Sequence, residues 1–344
     1  MEKSKKSKSS NKPIIGITLG DINGIGPEVI IKALSDSRIL NIITPVIYGS
    51  TKVLSYYRKN MGSEEFNYSQ VRDNFINPKK TNVVNCWNEV VEIKTGSSDK
   101  EIGKYALKAL ERAIKDLNEG KINALVTGPV SKNNIQSDKF NFPGQTEYIT
   151  KSSGGTNSLM MMVGESLRIG LVTTHIPIKD VASQITKKKI ADKLMIFINS
   201  LKEDFGINKP KVAILGLNPH AGDDGLLGKE ELEVIAPVIE EFKNKGHLTF
   251  GPYPSDGFFG AAQYTNFDGI LAMYHDQGLI AFKTLSFEIG VNYTAGLNVI
   301  RTSPDHGTAY NLAGKNVASE ISMRSAIYLA KDIYKMRNLA PQKE

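Results

Sequence analysis

The chain has 344 residues, 40% of them hydrophobic, enough to bury a core and fill one large α/β unit or two lobes. Its formal charge of +7 is concentrated in MEKSKKSKSSNK (1–12), where five lysines face one glutamate, leaving 38 basic and 35 acidic residues in the remainder. Such a run reads as a solvated, disordered tail, and without a basic stripe in the folded part no nucleic-acid partner is expected. A single cysteine, Cys86, excludes an intramolecular disulfide and a cysteine-rich metal knot. Apolar runs of strand length only, with none after the basic start, argue against a membrane span or signal peptide, so a cytoplasmic enzyme is expected.

Short apolar runs alternate with amphipathic stretches along almost the whole chain. IIGITL (14–19) reads as a strand, and PEVIIKAL (27–34) opens a helix with proline at its first position. ITPVIYG (43–49) is the next strand; YALKALERAIKDLNEG (105–120) is a helix leading to the strand NALVTGPV (123–130). Further strands are expected at 167–174, 211–217 and 268–274, with helices near 187–204, 229–244 and 319–335. This alternation predicts a mainly parallel sheet covered by helices. No repeat or linker follows the tail, so a second domain is expected to be interleaved with the first.

Three of the five histidines stand just past an apolar strand: LVTTH ends on His175, AILGLNPH on His220 and ILAMYH on His275. In open α/β sheets ligands bind outside the carboxyl ends of strands, so these side chains can converge despite their separation. Three neutral imidazoles with an open position suit a catalytic divalent metal such as zinc, whereas the plainer reading makes each a hydrogen-bonded loop or core residue. His247, with no strand before it, reads as a surface residue. After His275, the side chains of Lys283, Asn292 and Arg301 offer a cation, an amide and a guanidinium to an anionic ligand, as a phosphorylated acid would require.

Two glycine loops complete the pattern. GDINGIGPE (20–28) joins a strand to a helix and can cradle an anion at the helix start, although it is neither GxGxxG nor a phosphate loop of the GxxxxGK[ST] kind. PDHGTAYNLAGKNVAS (304–319) collects glycines with His306 and Asn311 before the last helix, in a form able to wrap an adenosine.

Taken in order, GDINGIGPE, ALVTGPVSK, FPGQTEY, NPHAGDDGLLGKEE, YHDQGLIAFK and RTSPDHGTAYNLAGK resemble the 4-hydroxythreonine-4-phosphate dehydrogenase family of pyridoxal phosphate synthesis. The first and last segments also resemble the wider isocitrate and isopropylmalate dehydrogenase superfamily. The resemblance implies a three-layer α/β/α fold with a mainly parallel sheet and two intertwined lobes. One lobe, 13–135 with 288–344, would carry the cofactor loop; the other, 136–287, the metal and substrate residues. It further implies a homodimer with the active site near the interface, NAD as oxidant and a divalent metal, zinc first with magnesium or cobalt as alternatives. Carried over by position, His175, His220 and His275 match metal ligands, and Gln145, Thr146, Lys283, Asn292 and Arg301 match substrate contacts. His306, Gly307 and Asn311 fall in the segment that holds the cofactor. Lys283 and Asp256 are the catalytic candidates, with Asp276 and Asp305 as further groups for orienting or relaying a proton.

Three departures stand out: Gln145 replaces the family's usual histidine, Ile22-Asn23 replaces Pro-Ala, and Ser255-Asp256-Gly257 is a variant of its segment. The expected reaction is oxidation of 4-phosphooxy-L-threonine to a β-keto acid that loses carbon dioxide to leave 3-amino-2-oxopropyl phosphate. The nearest rival is the same chemistry on 4-phospho-D-erythronate or 4-phospho-D-threonate. A rival of another class is a non-redox zinc hydrolase.

Overall fold

In the computed structural model, which describes residues 12–339 apart from 74 and 139, the β-branched run IIGIT forms a strand buried almost throughout. Burial on both faces is what such near-continuous apolar runs require. The predicted tail lies outside the described residues except for Lys12, whose Nζ donates to the carbonyls of Leu40 and Pro78, each at 2.6 Å. That last tail residue therefore belongs to the fold.

In chain order the strands are β1 (Ile14–Thr18), β2 (Thr44–Gly49), β3 (Tyr68–Gln70), β4 (Thr81–Asn85), β5 (Ala124–Thr127), β6 (Leu159–Val163), β7 (Arg168–Leu171), β8 (Lys211–Leu215), β9 (Leu248–Tyr253), β10 (Gly269–Ala272), β11 (Val291–Ala295) and β12 (Arg301–Pro304). They make one sheet in the order β3-β4-β2-β1-β5-β12-β11-β6-β7-β10-β8-β9. The architecture is the expected α/β/α fold around a mainly parallel sheet. The chain leaves the first group of strands after β5 and returns at β12, which pairs with β5. Interleaving follows directly from that return.

The sheet also contains a reversal. β12 with β11, β11 with β6 and β6 with β7 are antiparallel, so β7-β10-β8-β9 runs opposite to β3-β4-β2-β1-β5-β12. None of β12, β11 and β6 is among the predicted strands. β6 is LMMMV, with unbranched residues that favour helix as much as strand, and β12 is RTSP, which buries an arginine and ends on proline. Elsewhere the boundaries shift for local reasons. The strand expected at 123–130 stops at Thr127, before Gly128-Pro129, because proline has no N–H for the ladder. The helix expected from 105 starts at Lys100, capped by the Asp99 side chain, which accepts from the Glu101 N–H. The helix expected over 229–244 opens as a π-helical turn, Glu231–Ile235, before Ala236–Asn244.

One helix matters most for the site. His275–Ser286 buries Gly278, Leu279 and Phe282, and a Cβ at Gly278 would come within 2.6 Å of Leu171 Cδ2. Glycine therefore lets this helix lie close against β7, which fixes His275 at its start and Lys283 in its last turn. Among the described residues no helix is long and apolar enough to cross a membrane.

Candidate active site

A cleft of about 390 Å³ lies over the antiparallel seam, bounded by Thr127 at the end of β5, Arg301 on β12, Asn292 on β11, Met160 on β6, and His175 and His275 beyond β7 and β10. Gln145, Thr146, Lys283, His306 and Gly307 line it as well. The reversal of strand direction thus collects residues from both groups of strands at one place, as switch points in open sheets do.

One wall of the cleft centres on Arg301, which is 3% exposed. The guanidinium donates to Thr127 Oγ1 from Nε at 3.2 Å and Nη2 at 2.7 Å, and from Nη1 to Thr146 Oγ1 at 3.1 Å and Thr294 Oγ1 at 3.3 Å. Burial brings its pKa down from 12.5 to about 10, opposed by the charge of Glu147. A buried cation held by neutral hydroxyls has electrostatic capacity left for an anion. Lys283 Nζ lies 3.3 Å from Asp305 Oδ1; burial raises the Asp305 pKa above the ordinary carboxylate value while Lys283 opposes the rise.

The same cleft holds acceptors without donors. Gln145 donates from Nε2 to the Gly128 carbonyl at 3.2 Å, but its Oε1 is buried with no partner. Glu147 Oε2, Asn292 Oδ1 and His306 Nε2 are likewise buried and unpartnered. His306 Nδ1 faces the Gly307 carbonyl at 3.1 Å, which assigns the ring proton to Nδ1 and leaves Nε2 as a lone pair. Burial lowers the His306 pKa, favouring that neutral form.

The imidazoles of His175 and His275 have ring centroids 5.9 Å apart and planes inclined by 43°. That spacing is near the one two imidazoles take on a single ion with bonds of about 2.1 Å, which makes the pair candidate ligands and no more. His175 Nδ1 lies 3.6 Å from Glu147 Oε1, and His275 Nδ1 lies 2.7 Å from Asp276 Oδ1. The contact with His175 is the leading reason that the Glu147 pKa falls below its usual value.

Comparison with known proteins decides the family. Residues 41–330 match the model of the pyridoxal phosphate biosynthetic protein PdxA. The chain belongs to the PdxA family. Among its relatives, a 4-hydroxythreonine-4-phosphate dehydrogenase from Bacteroides thetaiotaomicron is 54% identical over 95% of this chain and 90% of its own length. A relative from Oceanobacillus iheyensis, 36% identical over 94% of this chain and 98% of its own, carries the name of a D-threonate 4-phosphate dehydrogenase. A crystal structure of 4-hydroxythreonine-4-phosphate dehydrogenase from Klebsiella pneumoniae superposes with a TM-score of 0.79 at 32% identity, covering 94% of this chain and 98% of that one. A looser likeness, of fold alone, extends to an isocitrate dehydrogenase from Methylococcus capsulatus at 12% identity, 95% and 87% coverage and a TM-score of 0.50.

Within this PdxA-family chain, four of the sequence-derived site residues, His220, Asp256, Asn311 and the exposed Asp276, stay outside the cleft. His220 sits exposed in the turn Pro219–Gly225, where it and its neighbours Ala221, Asp223 and Asp224 take left-handed backbone angles with φ between 43° and 52°. Among the described residues no three His, Cys, Asp or Glu side chains form a metal-holding group. Asp256 is exposed in the first turn of the short helix Ser255–Gly260, and Asn311 is exposed beyond His306 and Gly307. Conversely, the sequence reading overlooked Glu147 and Thr127. Glu147 stood in the quoted FPGQTEY segment two residues after Gln145, and its place in the first turn of the helix Gln145–Ser152 was the available signal. Nothing in the local pattern distinguished Thr127 from any other strand residue.

Proposed function

We propose that this chain is an NAD-dependent, divalent-metal-dependent dehydrogenase that oxidises the secondary hydroxyl of 4-phosphooxy-L-threonine and serves pyridoxal phosphate synthesis. The β-keto acid so formed exchanges its carboxylate for a proton, releasing carbon dioxide and leaving 3-amino-2-oxopropyl phosphate. The names of its close relatives support the reaction. The observation that carries the substrate is the set of unpartnered acceptors, Gln145 Oε1, Glu147 Oε2 and Asn292 Oδ1, in the same cleft as Arg301 and Lys283. A buried acceptor left without a donor costs about 1–3 kcal/mol, so the ligand must bring donors as well as an anion. An ammonium brings three N–H groups and neutralises a carboxylate, whereas the hydroxyl that replaces it in an erythronate or threonate brings one O–H and no charge.

Within this reading each side chain has a defined task. Arg301, Lys283, Thr146 and Asn292 hold the anionic ends of the substrate, and Gln145 orients it as a neutral group. Lys283 is the candidate for handling a proton at the reacting carbon, with Asp305 Oδ1 3.3 Å from its ammonium as the group that orients it. Asp256 lies outside the cleft in the single chain, so a catalytic part for it requires a contribution from a second copy. His175 and His275 would hold a divalent ion, zinc, magnesium or cobalt, with His220 as the third ligand. Because His220 is exposed and apart from the pair, we place it in the site of a partner subunit, which makes the enzyme a homodimer with composite sites. His306 and Gly307 would receive NAD, since Nε2 of His306 is an open acceptor and a Cβ at Gly307 would meet nothing within 4 Å; Asn311 extends that surface. When bound, the metal polarises the hydroxyl oxygen and NAD takes up the two electrons. The lobes follow the same reading: 13–135 with 288–344 on the cofactor side, 136–287 on the metal side.

The second reading, the same oxidation of a 4-phosphorylated D-threonate or D-erythronate, is favoured by Gln145 at the position of the family's histidine. Purified protein assayed for NADH formation with each of the three acids, with and without chelator, separates them. The proposal expects the highest kcat/KM on 4-phosphooxy-L-threonine and no turnover under chelation. Preference for a hydroxy acid would transfer the assignment to the second reading, and absence of NADH with all three would favour the hydrolase.

A further inference from the structure

We infer that the loop GDINGIGPE (20–28) is the anchor that holds the segment 304–319 in shape for NAD, with Asp21 and Glu28 as positioning residues. This rests on the reading of His306 and Gly307 as the cofactor side of the cleft, and it gives a task to a motif which that reading leaves idle.

Every residue from Gly20 to Glu28 is buried, and a Cβ at Gly24 would come within 2.7 Å of the Thr308 carbonyl oxygen. Protein therefore fills the space where the start of the helix Gly26–Ser35 would otherwise receive an anion. What fills it is the cofactor segment, tied down at successive points. The Ile25 N–H donates to the Thr308 carbonyl at 3.0 Å. Tyr310 Oη donates to Asp21 Oδ2 at 2.7 Å, and Asn134 Nδ2 donates to the same oxygen at 3.2 Å. Further on, Glu28 Oε1 accepts from the Ala318 N–H at 3.0 Å and from Lys32 Nζ at 2.9 Å. That ammonium also donates to the Asn316 and Ala318 carbonyls at 3.1 and 2.8 Å. Both carboxylates are 1% exposed, so these bonds form away from competing water.

The loop is fixed to the core, whereas the segment is not self-supporting. Tyr57 Oη donates to the Ile22 carbonyl at 2.7 Å, and the Asp21 N–H to the Pro129 carbonyl at 2.9 Å. From Asp305 to Ser319 the chain runs without helix or strand, exposes Asn311 and residues 314–317, and holds Ala309 and Asn316 at φ of 40° and 57°. Left-handed backbone at residues other than glycine persists only where the surroundings hold it. Burial, then the bond to Asp21, raises the Tyr310 pKa to about 12, so its hydroxyl remains a donor at neutral pH. A segment already set in one shape binds without the entropy loss of ordering, and releasing an anchor lowers the fraction of chains competent to bind.

The experiment titrates full-length protein with NADH, followed by its fluorescence, and measures amide hydrogen exchange with and without NADH. In wild type, NADH should protect 304–319. Tyr310→Phe and Glu28→Ala should each raise exchange over 304–319 in the free protein and leave the sheet as it was. With the competent fraction down to between about a third and a tenth, the Kd for NADH should rise about 3- to 10-fold. KM for NAD should rise alike, with KM for the phosphorylated acid unchanged. Glu28→Gln, whose amide oxygen still accepts from the Ala318 N–H, should keep more affinity than Glu28→Ala. Wild-type Kd in both Tyr310→Phe and Glu28→Ala, whether exchange is unchanged or raised over the whole sheet, overturns the inference and leaves the cofactor reading intact. If wild-type protein binds no NADH, or binds it without protecting 304–319, the cofactor reading fails and this inference with it. Should Glu28→Ala not fold, Tyr310→Phe alone decides.

Discussion

Arg301 donates twice to a single hydroxyl, Thr127 Oγ1, from Nε at 3.2 Å and Nη2 at 2.7 Å, and its remaining side-chain bonds go to Thr146 and Thr294. The fold thus keeps a cation out of water against neutral oxygens, which costs stability until an anion arrives. Arg301→Met should leave the melting temperature unchanged or higher. The same change removes a charge-assisted contact of roughly 2 kcal/mol or more, so kcat/KM should fall about 30-fold or further. Thermal denaturation and steady-state kinetics on one preparation check both halves. A destabilised variant with normal kinetics would make Arg301 a structural residue.

Gln145 should matter less. Its Oε1 offers one neutral hydrogen bond, worth on the order of 0.5–1.5 kcal/mol, so Gln145→Ala should lower kcat/KM by roughly 2- to 13-fold. Gln145→His should retain activity and add a dependence on pH between about 5 and 8, where imidazole titrates and an amide does not. If Gln145→Ala is as damaging as Arg301→Met, the residue does more than position substrate.

His306 links the site to stability against acid. Burial depresses its pKa below 6.5, so the unfolded chain binds the proton more readily than the fold does. The associated stability is fully present above pH 6.5 and is lost as the pH falls from 6.5 toward the lower folded value. Asp305, raised by burial, gives a slope of the opposite sign in its own window, above its ordinary 3.8. Urea midpoints measured through the histidine window should fall on acidification, and His306→Gln should flatten that slope. An unchanged slope in the variant would move the acid sensitivity to another group.

The parts of this fold that were legible in the sequence are those where one local signal points one way. The strand IIGIT is β-branched and buried, and Pro27 marks the start of its helix. The antiparallel seam was not legible, because the identity of β6, β11 and β12 as strands depends on partners distant in sequence. At the site, histidines beyond strands predicted the meeting of His175 with His275, since sheet topology brings β7 and β10 side by side. The same rule could not place His220. It follows β8, the next strand along, but a left-handed turn carries it outward, and turn geometry of that kind depends on tertiary contacts: Glu231 Oε1 accepts from the N–H groups of Leu217 and Asn218 at 2.6 and 2.7 Å. His247, expected at the surface, is partly exposed there, with its ring packed on Phe242 at 5.5 Å.

That placement of His247 supplies the control for metal dependence. His275→Ala should abolish turnover and metal uptake, while His247→Ala should lower the melting temperature and leave kcat near wild type. Chelation should abolish turnover without unfolding the chain, and readdition of zinc, cobalt or magnesium should restore it, because the proposed ligands, past the ends of separate strands, serve the site and not the core. Full NADH production by metal-free protein would remove the metal from the mechanism.

The last prediction concerns where His220 acts. If it completes a site in the partner subunit, His220→Ala and His275→Ala proteins are each inactive, but a hybrid dimer is not. One of its sites takes His175 and His275 from the chain lacking His220 and receives His220 from the other chain. Random reassociation of equal amounts makes about half of the dimers hybrid, each with one intact site of two, so activity should recover to about a quarter of wild type. Denaturing and refolding the two variants together, with each refolded alone as reference, measures it. If His220 instead served the cleft of its own chain, neither site of the hybrid would hold all three histidines, and the mixture would stay as inactive as its parents.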